Sequence, residues 1–338
     1  MRTTEESQKR TIEEWAAELS AVTGGEVVFF SQIAPQETRW LWEPYIPLGK
    51  ITILQGDPGE GKSTLALELA AAVSRGWNFP YKERTKQQEF VLYQNAEDGL
   101  SDTVRPRLDA AGADNRFVMY IRENQAPLEI IDKRFVRLLQ QIRPVLVVLD
   151  PLQAYFGSDV DMHRANEVRP VMSALAEMAE EFGCAIVLIG HMNKMQGTKS
   201  IYRGLGSIDL TAAARSVLLV AKDQKDPDVR VLFQIKNSLA AMAEPAAFTL
   251  KDGIFQWLGA YEADLSELLN SEQKTARPIL RAKDFLQKWL TKEQPKIRQQ
   301  ELMDMADSEG IRKRTLYKAK SELNIRSVKE GNSWYWTL

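Results

Sequence analysis

The stretch Gly56-Asp57-Pro58-Gly59-Glu60-Gly61-Lys62-Ser63-Thr64 decides the fold of this chain, because it has the Gly-x4-Gly-Lys-Ser spacing of a P-loop. It follows the apolar run 51–54 and precedes the helix-forming run 65–72. Its glycines let backbone N–H groups turn toward phosphate oxygens, and the following helix adds its positive N-terminal end. All nine residues are therefore candidates for binding a nucleoside triphosphate, with Lys62 at the β- and γ-phosphates and Ser63 at Mg²⁺.

The composition is that of an ordinary globular protein, with 338 residues of which 44% are hydrophobic. No apolar run is long enough to span a membrane, and residues 1–10 lack the apolar region of a signal peptide, so we expect a cytoplasmic protein. The one cysteine, Cys184, lies in an apolar run, where a buried and unreactive thiol is expected. The net charge is −2, yet residues 271–338 carry 15 Lys and Arg against 9 Asp and Glu. This local excess favours a nucleic-acid contact at the C-terminal end.

Apolar strand-like runs alternate with helical patterns from Lys50 to about residue 260, which predicts an α/β fold with a mostly parallel central sheet covered by helices. The candidate strands are 51–54, 90–94, 118–121, 145–149, 185–189, 216–220, 230–235 and 247–250. We predict four regions: an N-terminal extension (1–45) with a helix near 11–19 and a strand at 26–30, a P-loop domain (46–260), a linker (261–278) and a small C-terminal domain (279–338).

The C-terminal region has the pattern of a winged-helix module, because three helical segments (282–290, 299–306 and 313–323) precede a hairpin-like stretch at 327–338. Arg314 and Lys318 lie four residues apart on the third helix, so both could meet DNA phosphates. Such modules also bind proteins, and DNA is the favoured target. Trp334 and Trp336 are expected to fill the small core.

A second acidic residue for Mg²⁺ follows the apolar run 145–149, where Asp150 ends a strand that we expect beside the P-loop strand. This is the pattern of a Walker B motif. Hydrolysis also needs a group that orients and deprotonates the attacking water. Pro151 rather than a glutamate follows Asp150, so the base must come from elsewhere.

Five motifs in a fixed order resemble the RecA-like core of RepA-type hexameric replicative helicases, relatives of the DnaB family carried by plasmids, phages and integrated elements. The motifs lie at 56–64, 95–98, 147–152, 188–194 and 203–216, within a resemblance that covers about residues 40–260. The resemblance implies an ATP- and Mg²⁺-dependent DNA helicase or translocase. It also implies a ring-shaped homo-oligomer, typically a hexamer, on single-stranded DNA, with a primase or a replication initiator as a further partner.

The resemblance also assigns roles to individual residues. RecA-type ATPases place their base at the end of the strand after the P-loop helix, which points to Glu97, with Asp98 as the alternative. His191 takes the position that contacts the γ-phosphate and reports its loss to the DNA-binding loops. The other histidine, His163, lies in a polar stretch and is expected at the surface.

An arginine finger from a neighbouring subunit is the remaining catalytic group, and Arg215 matches its position in RepA-type enzymes. Arg203 is the alternative. DnaB relatives use a Lys-x-Arg pair instead, and the comparable place here reads Lys236-Asn237-Ser238. The arginine of that pair is missing, which leaves a contribution of Lys236 open.

Two segments are candidates for contact with DNA inside a ring. One is 151–169, after Asp150, and the other is 193–203. The second segment carries three basic residues and one aromatic ring that could track phosphates and stack on a base, namely Lys194, Lys199, Tyr202 and Arg203.

Two other classes of function fit the same motifs. One is a non-motor DNA-binding ATPase, such as a helicase loader or recombination mediator, in which ATP controls only assembly on DNA. The other is a RecA-like regulatory ATPase with a protein target, which the small net charge permits.

Overall fold

The structure is a computed structural model that describes residues 11–24, 28–84, 87–123, 126–157, 160–162, 164–191, 208–223, 225–251, 253–291, 295–331 and 333–337. Of residues 84, 191, 208, 209 and 266–277 it describes the backbone alone. None of the helices in these ranges is long and apolar enough to cross a bilayer.

The secondary structure alternates strands and helices as far as residue 222. The strands are β1 (Trp40–Trp42), β2 (Ile46–Pro47), β3 (Ile51–Gly56), β4 (Trp77–Asn78), β5 (Glu83–Arg84), β6 (Val91–Asn95), β7 (Val118–Met119), β8 (Leu146–Asp150), β9 (Ala185–His191), β10 (Ser216–Lys222), β11 (Val229–Asn237), β12 (Ala246–Lys251), β13 (Ile254–Ala260), β14 (Lys296–Arg298), β15 (Arg326–Glu330) and β16 (Ser333–Thr337). The α-helices are α1 (Ile12–Thr23), α2 (Lys62–Arg75), α3 (Arg105–Ala111), α4 (Lys133–Ile142), α5 (Ala165–Phe182), α6 (Ile208–Ala213), α7 (Leu265–Trp289), α8 (Gln299–Ser308) and α9 (Lys313–Glu322).

One nine-stranded sheet organises the core, in the order β13-β12-β11-β10-β3-β9-β8-β6-β7. The six strands from β10 to β7 are parallel, and β11, β12 and β13 extend the sheet as antiparallel neighbours. The predicted α/β fold with a mostly parallel sheet is therefore confirmed. Each of the eight predicted strands is present, and β13 is a ninth that we did not predict.

The central strands are hydrophobic throughout because helices cover both faces of the sheet. Alternate residues of β3 show this arrangement: Leu54 packs with the side chains of α2 and α3, whereas Ile51 and Ile53 pack with those of α4, α5 and α6. The carboxyl ends of the parallel strands meet at one edge of the sheet, where ligands bind in folds of this kind.

One expectation for the N-terminal region needs correction. The predicted strand 26–30 is wrong in its described part, since Phe30 begins a short 3₁₀ helix that ends at Gln32. Val28 and Phe30 are exposed there, and none of the described strands includes either residue. The segment expected as a linker is helical from Leu265 onward, because 265–277 is rich in residues that favour helices. The region boundaries themselves stay a prediction.

The C-terminal region has its own core and a three-stranded antiparallel sheet in the order β14-β16-β15. The predicted helices and hairpin are present, and β14 adds a third strand. Trp336 is fully buried in this core, as expected, and its indole Nε1 donates to Gln299 Oε1 at 3.1 Å. Trp334 is 48% exposed, so the expectation that it fills the core is wrong. Trp334 shares a face of β16 with Trp336, but it pairs with Lys329 at the end of the strand next to the hairpin turn, beyond the buried core.

Candidate active site

The P-loop connects β3 to α2 and folds tightly at its glycines. Gly61 has a φ of 89°, and a Cβ atom there would lie 2.5 Å from Leu250 Cδ1. The next residue, Lys62, begins α2 and is only 4% exposed. Its ammonium donates to the carbonyl oxygens of Gly56 at 2.9 Å and Asp57 at 2.8 Å. The loop thus holds a buried cation at its centre, where the β- and γ-phosphates of a nucleotide would bind.

Burial lowers the pKa of Lys62, and the nearby Asp150 carboxyl opposes this shift. Two neutral carbonyls hold this ammonium, and no carboxylate of the described residues forms an ion pair with it, so a phosphate group is a suitable partner. The donors of the loop therefore fit a nucleotide.

Replacing Lys62 by alanine should weaken ATP binding by about ten- to a hundredfold, because a hydrogen bond to a charged group contributes about 1.5–3 kcal/mol. Titration with a fluorescent ATP analogue measures the change. Lys50→Ala is the matched control, since Lys50 lies at the other end of β3 and pairs with Glu180. Equal binding by both variants would contradict the assignment of Lys62.

Asp150 ends β8 beside the P-loop and is 3% exposed. Burial raises the pKa of its carboxyl, whereas hydrogen bonds from Ser63 and Tyr93 lower it. The Tyr93 hydroxyl donates to Asp150 Oδ2 at 3.0 Å. Asp150 and Ser63 are thus in direct contact, which fits a shared Mg²⁺ bound through a carboxylate, a hydroxyl, waters and phosphate oxygens. Among the described residues no group of three or more His, Cys, Asp or Glu side chains could hold a metal by itself.

The strand order corrects one expectation about this site. We expected the strand of Asp150 beside the P-loop strand, but β9 lies between β3 and β8. The carboxyl ends still converge, since Gly56 pairs in register with His191 and Asn95 with Asp150. His191 therefore lies next to the start of the P-loop, while its side chain is outside the described residues.

The loop after β6 presents Glu97 and Asp98 differently. Asn95 Oδ1 accepts the backbone N–H groups of Glu97 at 3.0 Å and Asp98 at 2.6 Å, which fixes the turn. The Asp98 carboxylate pairs with Arg107 at 3.0 Å. Both carboxylates raise the pKa of Asp150, whereas of the two only Glu97 is close enough to raise the pKa of Lys62. The geometry favours Glu97 over Asp98 as the base, and the assignment stays a prediction.

Arg215 precedes β10 at the opposite edge of the sheet. Its backbone N–H donates to the carbonyl of Ile51 at 3.0 Å, at the start of β3, and its side chain is exposed. The whole length of β3 separates it from Gly56, about 17 Å at roughly 3.3 Å per residue. One arginine side chain cannot span that distance, so Arg215 cannot reach the P-loop of its own chain.

Lys236 lies near Arg215 but is engaged within the fold. Its ammonium donates to the carbonyl oxygens of Thr211 at 2.8 Å, Ala212 at 3.1 Å and Ala214 at 2.7 Å. These contacts use all three of its hydrogens at the end of α6. Burial, followed by the charge of Arg215, lowers the pKa of Lys236. This side chain stabilises the turn before Arg215, and nothing in its contacts favours a second cation for a neighbouring subunit.

The other predicted residues fall into two groups. Four DNA-binding candidates and the surface histidine lie outside the described residues, namely Lys194, Lys199, Tyr202, Arg203 and His163. Arg314 and Lys318 are both exposed on α9, one turn apart. Cys184 is fully buried, and burial raises the pKa of its thiol to about 12, as expected for an unreactive cysteine.

Sequence reasoning missed Tyr93 and Asn95. They lie two residues apart on β6, and this spacing in a strand places both side chains on one face of the sheet. That spacing was the available signal.

Comparison with known proteins places the chain among nucleotide-binding proteins of one family. The profile of the AAA_25 family, described as an AAA domain, matches residues 16–197. The DNA repair protein RadA of Bacillus subtilis is 25% identical over 243 residues, which are 69% of this chain and 48% of that protein. RadA of Listeria monocytogenes is 26% identical over 259 residues, which are 73% of this chain and 50% of the relative. The chain thus spans about half the length of these curated relatives.

A solved structure of a RadB recombinase is also similar, with a TM-score of 0.45, 16% sequence identity, and coverage of 64% of this chain and 93% of that one. The family profile covers more than half of this chain and includes the P-loop, Glu97 and Asp150. The chain therefore belongs to the AAA_25 family of AAA domains, and its core has the RecA-like α/β fold with a P-loop.

Proposed function

We propose that this chain is an ATPase that acts on single-stranded DNA as an assembled oligomer, with ATP binding controlling assembly as in a recombination mediator. The observation that carries the proposal is the separation of Arg215 from its own P-loop by the length of β3. An exposed arginine at that edge can complete a nucleotide site only on a neighbouring copy. The relatives named DNA repair protein RadA support DNA as the substrate.

Each residue of the site has a distinct part in the proposed reaction. Lys62 and the P-loop N–H groups bind the phosphates, and Ser63 with Asp150 would hold Mg²⁺, which neutralises charge on the phosphates when it is bound. Glu97 orients the attacking water and accepts its proton. Arg215 of the neighbouring copy stabilises the charge that develops on the transferred phosphoryl group.

A RepA-type helicase or translocase is the second candidate, and the residue pattern around β10 supports it. Arg215 is present where RepA-type enzymes have their finger, and Lys236 is occupied by three backbone carbonyls instead of pointing outward. On this reading the oligomer is a closed ring, expected as a hexamer, that works with a primase or a replication initiator in a plasmid, phage or integrated element.

The C-terminal region 279–338 is proposed as a winged-helix domain that contacts DNA. Its supporting observations are the order of α7, β14, α8, α9, β15 and β16 and the exposed cations of α9. Arg314→Ala/Lys318→Ala should weaken DNA binding by a similar factor for all DNA sequences. It should also reduce the slope of log affinity against log salt concentration by about two, because two phosphate contacts are lost. Lys133→Ala/Lys251→Ala, on exposed positions of the ATPase core, is the control. An unchanged salt slope would point to a protein as the target of α9.

ATP turnover measured with and without single-stranded DNA tests the proposed function. We expect stimulation by DNA, and the absence of both stimulation and a gel shift at low salt would favour the regulatory ATPase with a protein target. Electron microscopy and a forked-duplex assay then distinguish the recombination mediator from the helicase. Filaments on DNA without strand separation support the mediator, and six-membered rings that unwind one polarity of fork support the helicase.

A further inference from the structure

A cavity of about 560 Å³ lies beside β12 and β13, the two outermost antiparallel strands of the sheet. Three segments line it: the turn around β1 and β2, the loop 78–81 after α2, and the adjoining ends of β12 and β13. The 14 residues of α2 separate that loop from Lys62, a length of about 21 Å at roughly 1.5 Å per residue. None of the nucleotide-site residues lines this cavity, so it needs an explanation of its own.

Aromatic rings form its walls. Trp42 stacks on Tyr45 with ring centroids 4.2 Å apart, and it meets Phe79 edge-on at 4.7 Å and Trp257 at 5.5 Å. Tyr81, at another side of the cavity, is 66% exposed. The faces of aromatic rings carry negative electrostatic potential, so a wall of this kind attracts a cation with an apolar stem.

The charged groups at the cavity have one sign. Glu43 and Glu244 line it, and none of its lining residues in the described ranges is Lys, Arg or His. Within the described part of the chain neither carboxylate forms an ion pair, and both are exposed. Burial, Glu244 and Tyr81 together raise the pKa of Tyr45, whose hydroxyl donates to the backbone carbonyl of Glu244 at 3.1 Å. The lining therefore combines aromatic surface with uncompensated negative charge.

Strand β13 adds a second element to this surface. It is at the edge of the nine-stranded sheet and pairs with β12 alone among the described strands. Trp257 and Gly259 of β13 line the cavity, and Ile254 and Leu258 are exposed on the same strand. Edge strands offer unpaired backbone groups to an extended peptide.

We propose that the aromatic–acidic cavity binds a lysine or arginine side chain of a partner protein, presented by an extended segment that adds to β13. Ring faces and the carboxylates of Glu43 and Glu244 recognise the cation, and backbone hydrogen bonds along β13 hold the segment. The proposal does not depend on the reaction at the P-loop.

The exposed helix α1 of a second copy is a poor match for the same place. Ile12 and Trp15 are exposed apolar residues of α1, but its charged residues are all acidic, Glu13, Glu14 and Glu18. They would meet Glu43 and Glu244 with like sign, which disfavours contact. Charge complementarity therefore favours a different protein with a basic segment.

Two small probes test the recognition of a cation on the full-length protein labelled with 5-fluorotryptophan. The probes are n-butylguanidinium and n-butylurea, which have nearly the same shape but differ in charge. Fluorine NMR should show n-butylguanidinium shifting the resonances that Trp42→Phe and Trp257→Phe remove, with at least tenfold tighter binding than n-butylurea. Equal binding of the two probes, or no shift of these resonances, would overturn the proposal.

Variants and a peptide test the remaining parts. Glu43→Gln/Glu244→Gln should weaken n-butylguanidinium binding at least tenfold, whereas the exposed pair Glu37→Gln/Glu262→Gln should leave it unchanged. Acetyl-Thr-Val-Arg-Val-Thr-amide should bind at least tenfold tighter than n-butylguanidinium, and N-methylation of its backbone should remove that gain. No gain from the peptide would overturn the role of β13.

Sedimentation distinguishes the source of the cation. If n-butylguanidinium disperses an oligomer of this chain, a second copy fills the cavity and the assignment to a partner protein is wrong. An unchanged sedimentation profile supports the partner. ATP turnover should be unaffected by the probe, so failure of this proposal and failure of the ATPase proposal give different results.

Discussion

Glu97→Gln should bind ATP as the unaltered protein does and turn it over about 100- to 10,000-fold more slowly, the usual contribution of a general base. Glutamine keeps the size and hydrogen-bonding reach of the side chain but cannot accept the proton of the attacking water. The backbone of the loop should not move, because Asn95 holds the N–H groups of residues 97 and 98. Single-turnover hydrolysis and equilibrium binding of ATP measure the two effects separately.

Asp98→Asn is the matched control for this variant. Asp98 pairs with Arg107 and, on our assignment, anchors the loop without touching the reacting water. Its replacement should therefore change turnover far less than Glu97→Gln does. A large loss in Asp98→Asn together with near-normal turnover in Glu97→Gln would exchange the roles of the two residues and make the base assignment wrong.

The sequence predicted the parallel core because each buried strand is a short apolar run that ends in a polar or glycine residue. Gly56, Asn95, Asp150 and His191 all follow such runs, and the carboxyl ends of parallel strands meet at one edge. The convergence of the site could therefore be predicted from chain order alone. The lateral order of the strands could not, since strand position depends on how helices pack across the sheet, and β9 lies where we expected β8.

The sequence also could not predict contacts that only tertiary packing makes. The hydrogen bond from Tyr93 to Asp150 joins residues 57 positions apart, and no local sequence pattern predicts it. The same holds for Lys236, whose three carbonyl partners on and after α6 were not visible in the motif Lys236-Asn237-Ser238. The polar composition and Pro278 suggested a linker at 261–278, and α7 continues through Pro278 although proline disfavours the interior of a helix.

Arg215→Ala should reduce ATP turnover by about a thousandfold or more while ATP binding changes little, because an arginine finger acts on the transition state. Arg137→Ala is the control, since Arg137 is exposed on α4 and is neither a P-loop residue nor a neighbour of Arg215 in the sequence. The loss by itself would not distinguish a structural arginine from one that acts on a neighbouring subunit. Mixing subunits of two different variants makes this distinction.

A mixture of Arg215→Ala and Glu97→Gln subunits should recover turnover that neither variant has alone. At an interface where the Arg215→Ala subunit holds the nucleotide and the Glu97→Gln subunit supplies the arginine, both groups are intact. In a head-to-tail assembly with equal and random mixing, roughly one interface in four has this arrangement. Turnover near a quarter of the unaltered level is therefore the upper limit expected. If Arg215 acted within its own chain, every subunit of the mixture would lack one group and turnover could not recover. The length of β3 between Arg215 and Gly56 already argues against action within one chain.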